Sequence, residues 1–276
     1  MSAASLLVPV VDGMAKILGA HHSPDLVAWG RYAVASLIVL PLNVVSSGGL
    51  RDVRHDFASN MLRTILTVGA MTAFFYAITE IPLATAFGGY FLGPMIAAVL
   101  ATPVLGEKLT GVRLAAAVLG LIGAYLIVRP GVDVNVGSLL AVLSGVLFAG
   151  YLIATRTTAT KTRPLPALQF QCVCGTILLS PFAIWHWSLP TKREVVLIAL
   201  MGVISATCHL MVIGAFRFAE ASVLSPLAYL ELVTATIFGR VVFAEFPDGL
   251  AIAGIAVIVV SGLLIWATTP SRSCSR

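Results

Sequence analysis

The sequence predicts an all-α polytopic membrane protein, with ten transmembrane helices arranged as two inverted-topology repeats of five. Three observations lead there: an apolar, charge-poor composition, a succession of long apolar runs, and a second half that repeats the layout of the first. Hydrophobic residues make up 59% of the 276 residues, and Asp, Glu, Lys and Arg only 11%. Soluble domains carry roughly 45–50% and about 25% respectively. Too few charges remain to cover a water-facing surface, which excludes soluble enzymes, disordered chains and nucleic-acid binders. The net charge of +5 reads as loop charge, with no nucleic-acid partner.

A helix needs about 20 mainly apolar residues to cross the hydrocarbon core. The segments 3–20, 24–45, 60–80, 83–105, 110–128, 136–156, 165–185, 193–215, 221–243 and 249–268 meet or approach that length. The first carries Asp12 and Lys16, the second Arg31, the eighth His209 and the ninth Glu231. The fourth holds Gly88-Gly89 and Gly93-Pro94, and Ser225-Pro226 falls near the start of the ninth. Most links are a few residues long, so consecutive helices are antiparallel neighbours. The runs are continuous rather than alternating, which argues against a β-barrel. The first segment does not read as a signal peptide, because it has internal charges and no basic stretch before it. Cys172, Cys174 and Cys208 lie within apolar segments and, with Cys274, form no zinc pattern, so they read as reduced packing thiols.

Basic residues divide unevenly between the two sides. One side holds Arg51, Arg54, Arg63, Lys108, Arg113, Arg156, Lys161, Arg163, Arg217, Arg272 and Arg276; the other holds Arg129, Lys192, Arg193 and Arg240. The positive-inside rule then places both termini in the cytoplasm.

The repeat is one of layout more than identity. LGEKLTGVRLAAAVLGLIGAYLIV around Glu107 parallels FAEFPDGLAIAGIAVIVVSGLLIW around Glu245, 138 residues later. At that offset Gly111 meets Gly249 and Ala115 meets Ala253. The expected units are 1–133 and 134–276. Five spans per unit is an odd number, so the second unit enters the membrane upside down. Inverted repeats are a transporter architecture, with the substrate site near the midplane between the halves.

With these motifs assembled, the chain resembles the drug/metabolite transporter superfamily, EamA type, along nearly its whole length. The residues that carry the resemblance are DGMAK at 12–16, GRY at 30–32, IPLATAFGGYFLGPMIAAVLATPVLGEKL at 81–109, GLIGAYLIVRPG at 120–131 and LSPLAYLELVTATIFGRVVFAEFPD at 224–248. The resemblance implies alternating-access transport of a small organic molecule across the cell inner membrane, with the fifth and tenth helices outside the core. The Asp and Lys of the first helix and the late SP…Y…FPD pattern resemble carriers of riboflavin or S-adenosylmethionine. The aromatic-Leu-Trp-Pro run of the aromatic amino acid exporters is absent, since this chain has Phe91-Leu92-Gly93-Pro94. An amino acid or drug exporter of the same superfamily is the alternative. The expected partners are a small-molecule substrate and the lipid bilayer, in a monomer or homodimer, with no cofactor and no metal.

Ionisable side chains within a span are functional candidates, because each costs a few kcal/mol at the bilayer centre. Asp12 and Lys16 are i, i+4 and share a face. They either neutralise each other or form a charged wall of the substrate cavity. Arg31 is an anchor or a contact for a substrate carboxylate or phosphate. Glu231 meets Gly93 at the repeat offset, and a desolvated Glu suits proton coupling or cation binding. His209 forms a polar stripe with Ser205, whereas His21, His22, His55 and His186 read as solvated. Tyr76, Tyr90, Phe91, Phe148, Tyr151 and Tyr229 are either packing or a stacking surface for a planar or cationic ligand. Gly89-x-x-x-Gly93 permits close helix approach, and Pro94 and Pro226 are kink or hinge positions. Glu107 and Glu245 read as structural caps of the helices that follow them. The pathway is expected between spans one, three, four, six, eight and nine. HExxH, GxSxG, P-loop and GxGxxG patterns are absent, so enzyme readings are weak. A channel is disfavoured by the lack of a filter-like loop.

Overall fold

The computed structural model describes residues 2–47, 56–105, 111–128, 135–158, 163–218, 230–245 and 247–268, and among them no strand occurs. The helices are α1 (Ser2–Gly19), α2 (Pro24–Ser47), α3 (Phe57–Glu80), α4 (Leu83–Tyr90), α5 (Leu92–Leu105), α6 (Gly111–Val128), α7 (Val136–Thr158), α8 (Pro164–Trp185), α9 (Lys192–Phe218), α10 (Leu230–Phe243) and α11 (Gly249–Thr268). Five of them, α2, α3, α7, α8 and α9, are by themselves long and apolar enough to cross a membrane.

The expected fourth span is divided into α4 and α5 at Phe91. Pro94 has no N–H to offer the carbonyl of Tyr90, and its ring crowds that carbonyl. The chain stays close to helical there, with Phe91 at φ −72, ψ −3. Its N–H still donates to Phe87 O at 2.9 Å. The result is a local break inside a continuous rod. The expected ninth span is described from Leu230 onward, so Ser225 and Pro226 lie outside the described residues. The third span begins at Phe57, which places Arg63 well inside a helix.

One end of the bundle shows how the halves are oriented. Lys16, near the end of α1, donates to Ile81 O just after α3 and pairs with Glu245 just after α10. Gly137, in the first turn of α7, abuts Glu80, the last residue of α3. The first unit's opening helix therefore finishes where the second unit's opening helix starts, which is the inverted arrangement. Packing repeats the relation: α1 lies against α9 and α10, as α7 lies against α3 and against α4 and α5, while α2 meets α8 and α6 meets α11.

The pair α6–α11 records the symmetry at atomic detail. A Cβ on Gly123 would sit 2.7 Å from Gly254 O, and one on Gly254 would sit 2.5 Å from Gly123 O. At the 138-residue offset Gly123 corresponds to Ser261 and Gly254 to Ala116. That equivalent pair also touches, with Ser261 Oγ donating to Ala116 O at 2.7 Å.

Polarity is arranged as an apolar solvent requires. Leu37 is 73% and Ile177 64% exposed, whereas Asp12 is 4% and Arg31 6% exposed. A water-soluble fold of this size shows the reverse for charged groups. Side-chain caps close several helix starts at the Lys16 end. Thr191 and Glu194 form a reciprocal capping box on α9. Asp248 Oδ1 accepts from Ala251 N–H at 2.9 Å on α11, and Asn135 Oδ1 from Ser138 N–H at 2.8 Å on α7.

The α6–α11 contact has backbone on both sides and cannot yield to an added methyl group. Gly123→Ala should cost roughly 1–3 kcal/mol through overpacking. Gly111→Ala, whose Cβ meets nothing within 4 Å, should be neutral. Thermal unfolding of both variants in detergent checks the contrast.

Candidate functional site

Arg31 is the centre of the buried polar structure. It lies on α2, two turns in, where α1, α3 and α9 converge. Its Nε donates to Ser205 Oγ at 2.8 Å, and its Nη1 lies 3.3 Å from Asp12 Oδ1. Nη1 also rests against the Met71 sulfur at 2.9 Å, and the guanidinium stands 5.8 Å from the centre of the Phe75 ring. A buried charge is tolerable only when paired and hydrogen-bonded, and Arg31 has both from two different helices.

Beside Arg31 lies a small cavity of about 20 Å³, room for little more than a water molecule in this conformation. Its polar wall is made by Arg31 and Tyr32 of α2, Thr67 of α3, Gln171 of α8, and Ser205 and His209 of α9. Two of these helices belong to each half, and each pair corresponds to the other at the repeat offset. The cavity therefore sits on the pseudo-two-fold axis. Its walls are spans two, three, seven and eight, while two spans of the expected pathway, four and six, pack on each other through Tyr90 and Phe148.

Asp12 and Lys16 do not pair with each other. Asp12 faces Arg31, while Lys16, one turn closer to the helix end, reaches past it. Lys16 Nζ lies 2.7 Å and 2.8 Å from the two carboxylate oxygens of Glu245, 3.0 Å from Ile81 O and 5.2 Å from the centre of the Phe243 ring. A weakly hydrated guanidinium is the better partner in the interior, and the ammonium is left for the rim. Glu245 also departs from its expected role. Asp248 caps α11, and Glu245 instead accepts from Leu83 N–H, the first of α4, at 3.4 Å. Ala244, at φ 54, turns the chain so that this carboxylate points back into the bundle. The Lys16–Glu245 pair thus ties α1, the α3–α4 junction and the end of α10 together.

The aromatic residues form a ladder. Tyr90 stacks on Phe148 with centroids 4.4 Å apart, and Phe148 on Tyr151 at 5.7 Å. Phe91 is fully packed, 6.2 Å from Phe87. Tyr76 stands apart at the Lys16 end, where its hydroxyl donates to Asp25 Oδ2 at 2.7 Å. Gly89 and Gly93 provide the close approach expected of them, against Ala141, Gly145 and Phe148 of α7. Glu231 is partly buried in the first turn of α10. His209 Nδ1 lies 2.9 Å from Ser205 O, so the expected polar stripe is present and lines the cavity. Tyr229, Pro226 and Glu107 lie outside the described residues.

Two features escape a sequence reading. His22 is not solvated but 6% exposed, against Ser188 and 3.2 Å from Glu194 Oε2, while His186 lies 3.3 Å from Asp25. Arg63, counted with the loop charges, is 7% exposed within α3 and donates to Ala167 O of α8 at 2.8 Å. The signal for Arg63 is its position inside the expected 60–80 span, which makes it an intrahelical charge rather than a loop one.

Paired inverted five-helix units with a polar cavity on their axis define a multi-pass membrane transporter. The chain belongs to the EamA-like transporter family, whose model matches residues 3–129 and again 135–267. It is similar to an S-adenosylmethionine uptake transporter of Rickettsia prowazekii (strain Madrid E), 28% identical over 255 residues, covering 92% of this chain and 86% of that one. It is also similar to a riboflavin transporter of Brucella anthropi, 29% identical over 252 residues and 87% of each chain. A riboflavin transporter of Vibrio cholerae is 26% identical over 285 residues, covering 99% of this chain and 94% of that one. A solved crystal structure of 18% identity superposes with a TM-score of 0.68 over 95% of this chain and 97% of its own, which supports the fold. The family and these relatives are transporters, not enzymes.

The Lys16–Glu245 contact predicts energetic coupling. In a double-mutant cycle of Lys16→Met and Glu245→Gln, the coupling energy should be about 1–3 kcal/mol, read from thermal unfolding. A cycle of Asp12→Asn with Lys16→Met should give a coupling near zero.

Proposed function

We propose that this protein is a secondary active transporter that moves a small organic metabolite across the cell inner membrane by alternating access, with both termini in the cytoplasm. The substrate is a vitamin-like, cofactor-like or zwitterionic molecule, carried by exchange or with protons. The observation that carries this reading is Arg31. It is a buried guanidinium held in place by Asp12 and Ser205, at the edge of a cavity shared equally by the two halves.

Such an arrangement provides a fixed cation for a carboxylate or phosphate, with a carboxylate beside it that can exchange partners when a zwitterion arrives. The relatives named for S-adenosylmethionine and for riboflavin handle molecules with planar rings. The ladder of Tyr90, Phe148 and Tyr151 supplies parallel aromatic faces near the same axis, and such faces attract planar and cationic groups. The Lys16–Glu245 pair closes one end, and breaking it is the natural step toward opening that end. Asp12, Glu231 and His209 are the groups that would exchange a proton with the substrate path.

Initial-rate uptake into proteoliposomes tests this reading, with S-adenosylmethionine and riboflavin as the probes. One of them should enter saturably. Arg31→Lys keeps the charge opposite Asp12 but loses the planar fork. It should lower the rate at least about tenfold, equivalent to roughly 1.4 kcal/mol, with little change in thermal stability. Undiminished uptake by Arg31→Lys would remove Arg31 from the substrate path. Single cysteines at Ser47 and Leu189, in a chain whose four native cysteines are replaced by Ala, test the orientation. Ser47→Cys should react only from the cytoplasm and Leu189→Cys only from outside.

A further inference from the structure

We infer that Arg63 is an anion-binding residue of the transport path, taking the carboxylate or phosphate of a ligand at the end of the bundle opposite the Lys16–Glu245 pair. The inference rests on the transporter reading above for what the anion belongs to, but not for anion binding itself.

Arg63 differs from Arg31 in how its charge is met. Arg31 has Asp12. Arg63 is as deeply buried, at 7% exposure, yet its one hydrogen bond among the described residues is the neutral carbonyl of Ala167 at 2.8 Å. Its Nε is buried without a hydrogen-bond partner. Asp56 lies seven residues earlier, about 10 Å along the helix, and makes no ion pair with Arg63. A guanidinium this buried, with a donor unused, is short of one oxyanion.

The surroundings add positive potential rather than cancel it. Arg63 lies in the second turn of α3 and bonds into the first turn of α8, and the starts of these two helices touch through Phe57 and Phe170, 5.5 Å apart. Neither start has a side-chain cap, at Asp56 or at Arg163. Helix N-termini favour anions and disfavour cations, so this position destabilises an arginine that serves only as a brace.

The location connects the group to the cavity. Thr67 and Gln171 line the cavity. Arg63 and Ala167 are one turn further along the same two helices, so their hydrogen bond lies about 6 Å beneath the cavity floor. A ligand anion moving from Arg31 toward this floor meets a second guanidinium, one that no carboxylate of the described residues holds. Separation of α3 from α8 would free the Nη2 donor as well.

The test uses the full-length protein in lipid nanodiscs, titrated with inorganic phosphate and with acetate at constant ionic strength while thermal unfolding is followed. At least one anion should raise Tm saturably. In Arg63→Met the midpoint should move at least about tenfold to higher concentration, while Arg63→Lys, which keeps the charge but not the fork, should move it less than Arg63→Met does. Arg63→Gln keeps a donor for Ala167 O and is the second charge-free variant, with the same outcome as Met expected. No stabilisation of the native protein by either anion overturns the inference, as does an unchanged midpoint in Arg63→Gln.

The source of the anion is read from matched ligand pairs. A carboxylate site prefers S-adenosylmethionine over its decarboxylated form, whereas a phosphate site prefers riboflavin 5′-phosphate over riboflavin. Arg63→Gln should erase whichever preference is found. If the inorganic anions behave as expected and neither S-adenosylmethionine nor riboflavin is carried, Arg63 stands as an anion site and the substrate reading fails.

Discussion

A charge inside hydrocarbon has to find its partner within the protein, because the bilayer core offers none. The polar interior of this transporter follows from that constraint. Arg31 is held by Asp12 from α1 and Ser205 from α9, so a single guanidinium joins helices of both halves. Lys16, closer to the rim, is held by Glu245 and by a carbonyl at the α3–α4 junction. Each pair fixes the relative position of elements that alternating access would have to separate. On the proposed alternating-access reading, the contacts that stabilise this conformation are also the ones whose exchange would open it.

The inverted repeat explains why such a mechanism is available. Two units of the same shape, inserted in opposite senses, give a bundle whose two ends are built from equivalent helices. The α6–α11 contacts show how closely the equivalence holds, since Gly123–Gly254 and Ala116–Ser261 touch at matching places. The side chains break the symmetry. Arg31 corresponds to Gln169 at the 138-residue offset, and Asp12 to Gly150. The backbone supplies two exchangeable ends, while the charges make one end differ chemically from the other.

Most of the fold was legible in the sequence because length, hydropathy and link size constrain a membrane bundle tightly. The break at Pro94 follows from a missing N–H, and the close approach at Gly89 and Gly93 from missing side chains; both are local properties. Pairing of charges was less legible. Asp12 and Lys16 share a face at helical spacing, yet each is drawn to a residue that is distant in sequence, 19 positions away for Asp12 and 229 for Lys16. Glu245 looked like a cap for the helix that follows it, but Asp248 performs that task three residues later. Arg63 lay inside the expected 60–80 span but was counted with the loop charges because it is close to the span's start, and that hid its burial. The location of the cavity depends on how large side chains fill the axis, and periodicity carries no information about that.

The central claim is that the two ends of this bundle open alternately. Spin-label pairs measured by double electron–electron resonance test it most directly. One pair spans the Lys16 end, between the α3–α4 and α8–α9 junctions, and a second spans the opposite end, between the start of α3 and the start of α8. Disrupting the Lys16 end with Glu245→Gln should lengthen the first distance while the second, between helix starts that already touch through Phe57 and Phe170, stays short. Two distances that lengthen together, or a first distance that does not lengthen, would contradict alternating access in this fold.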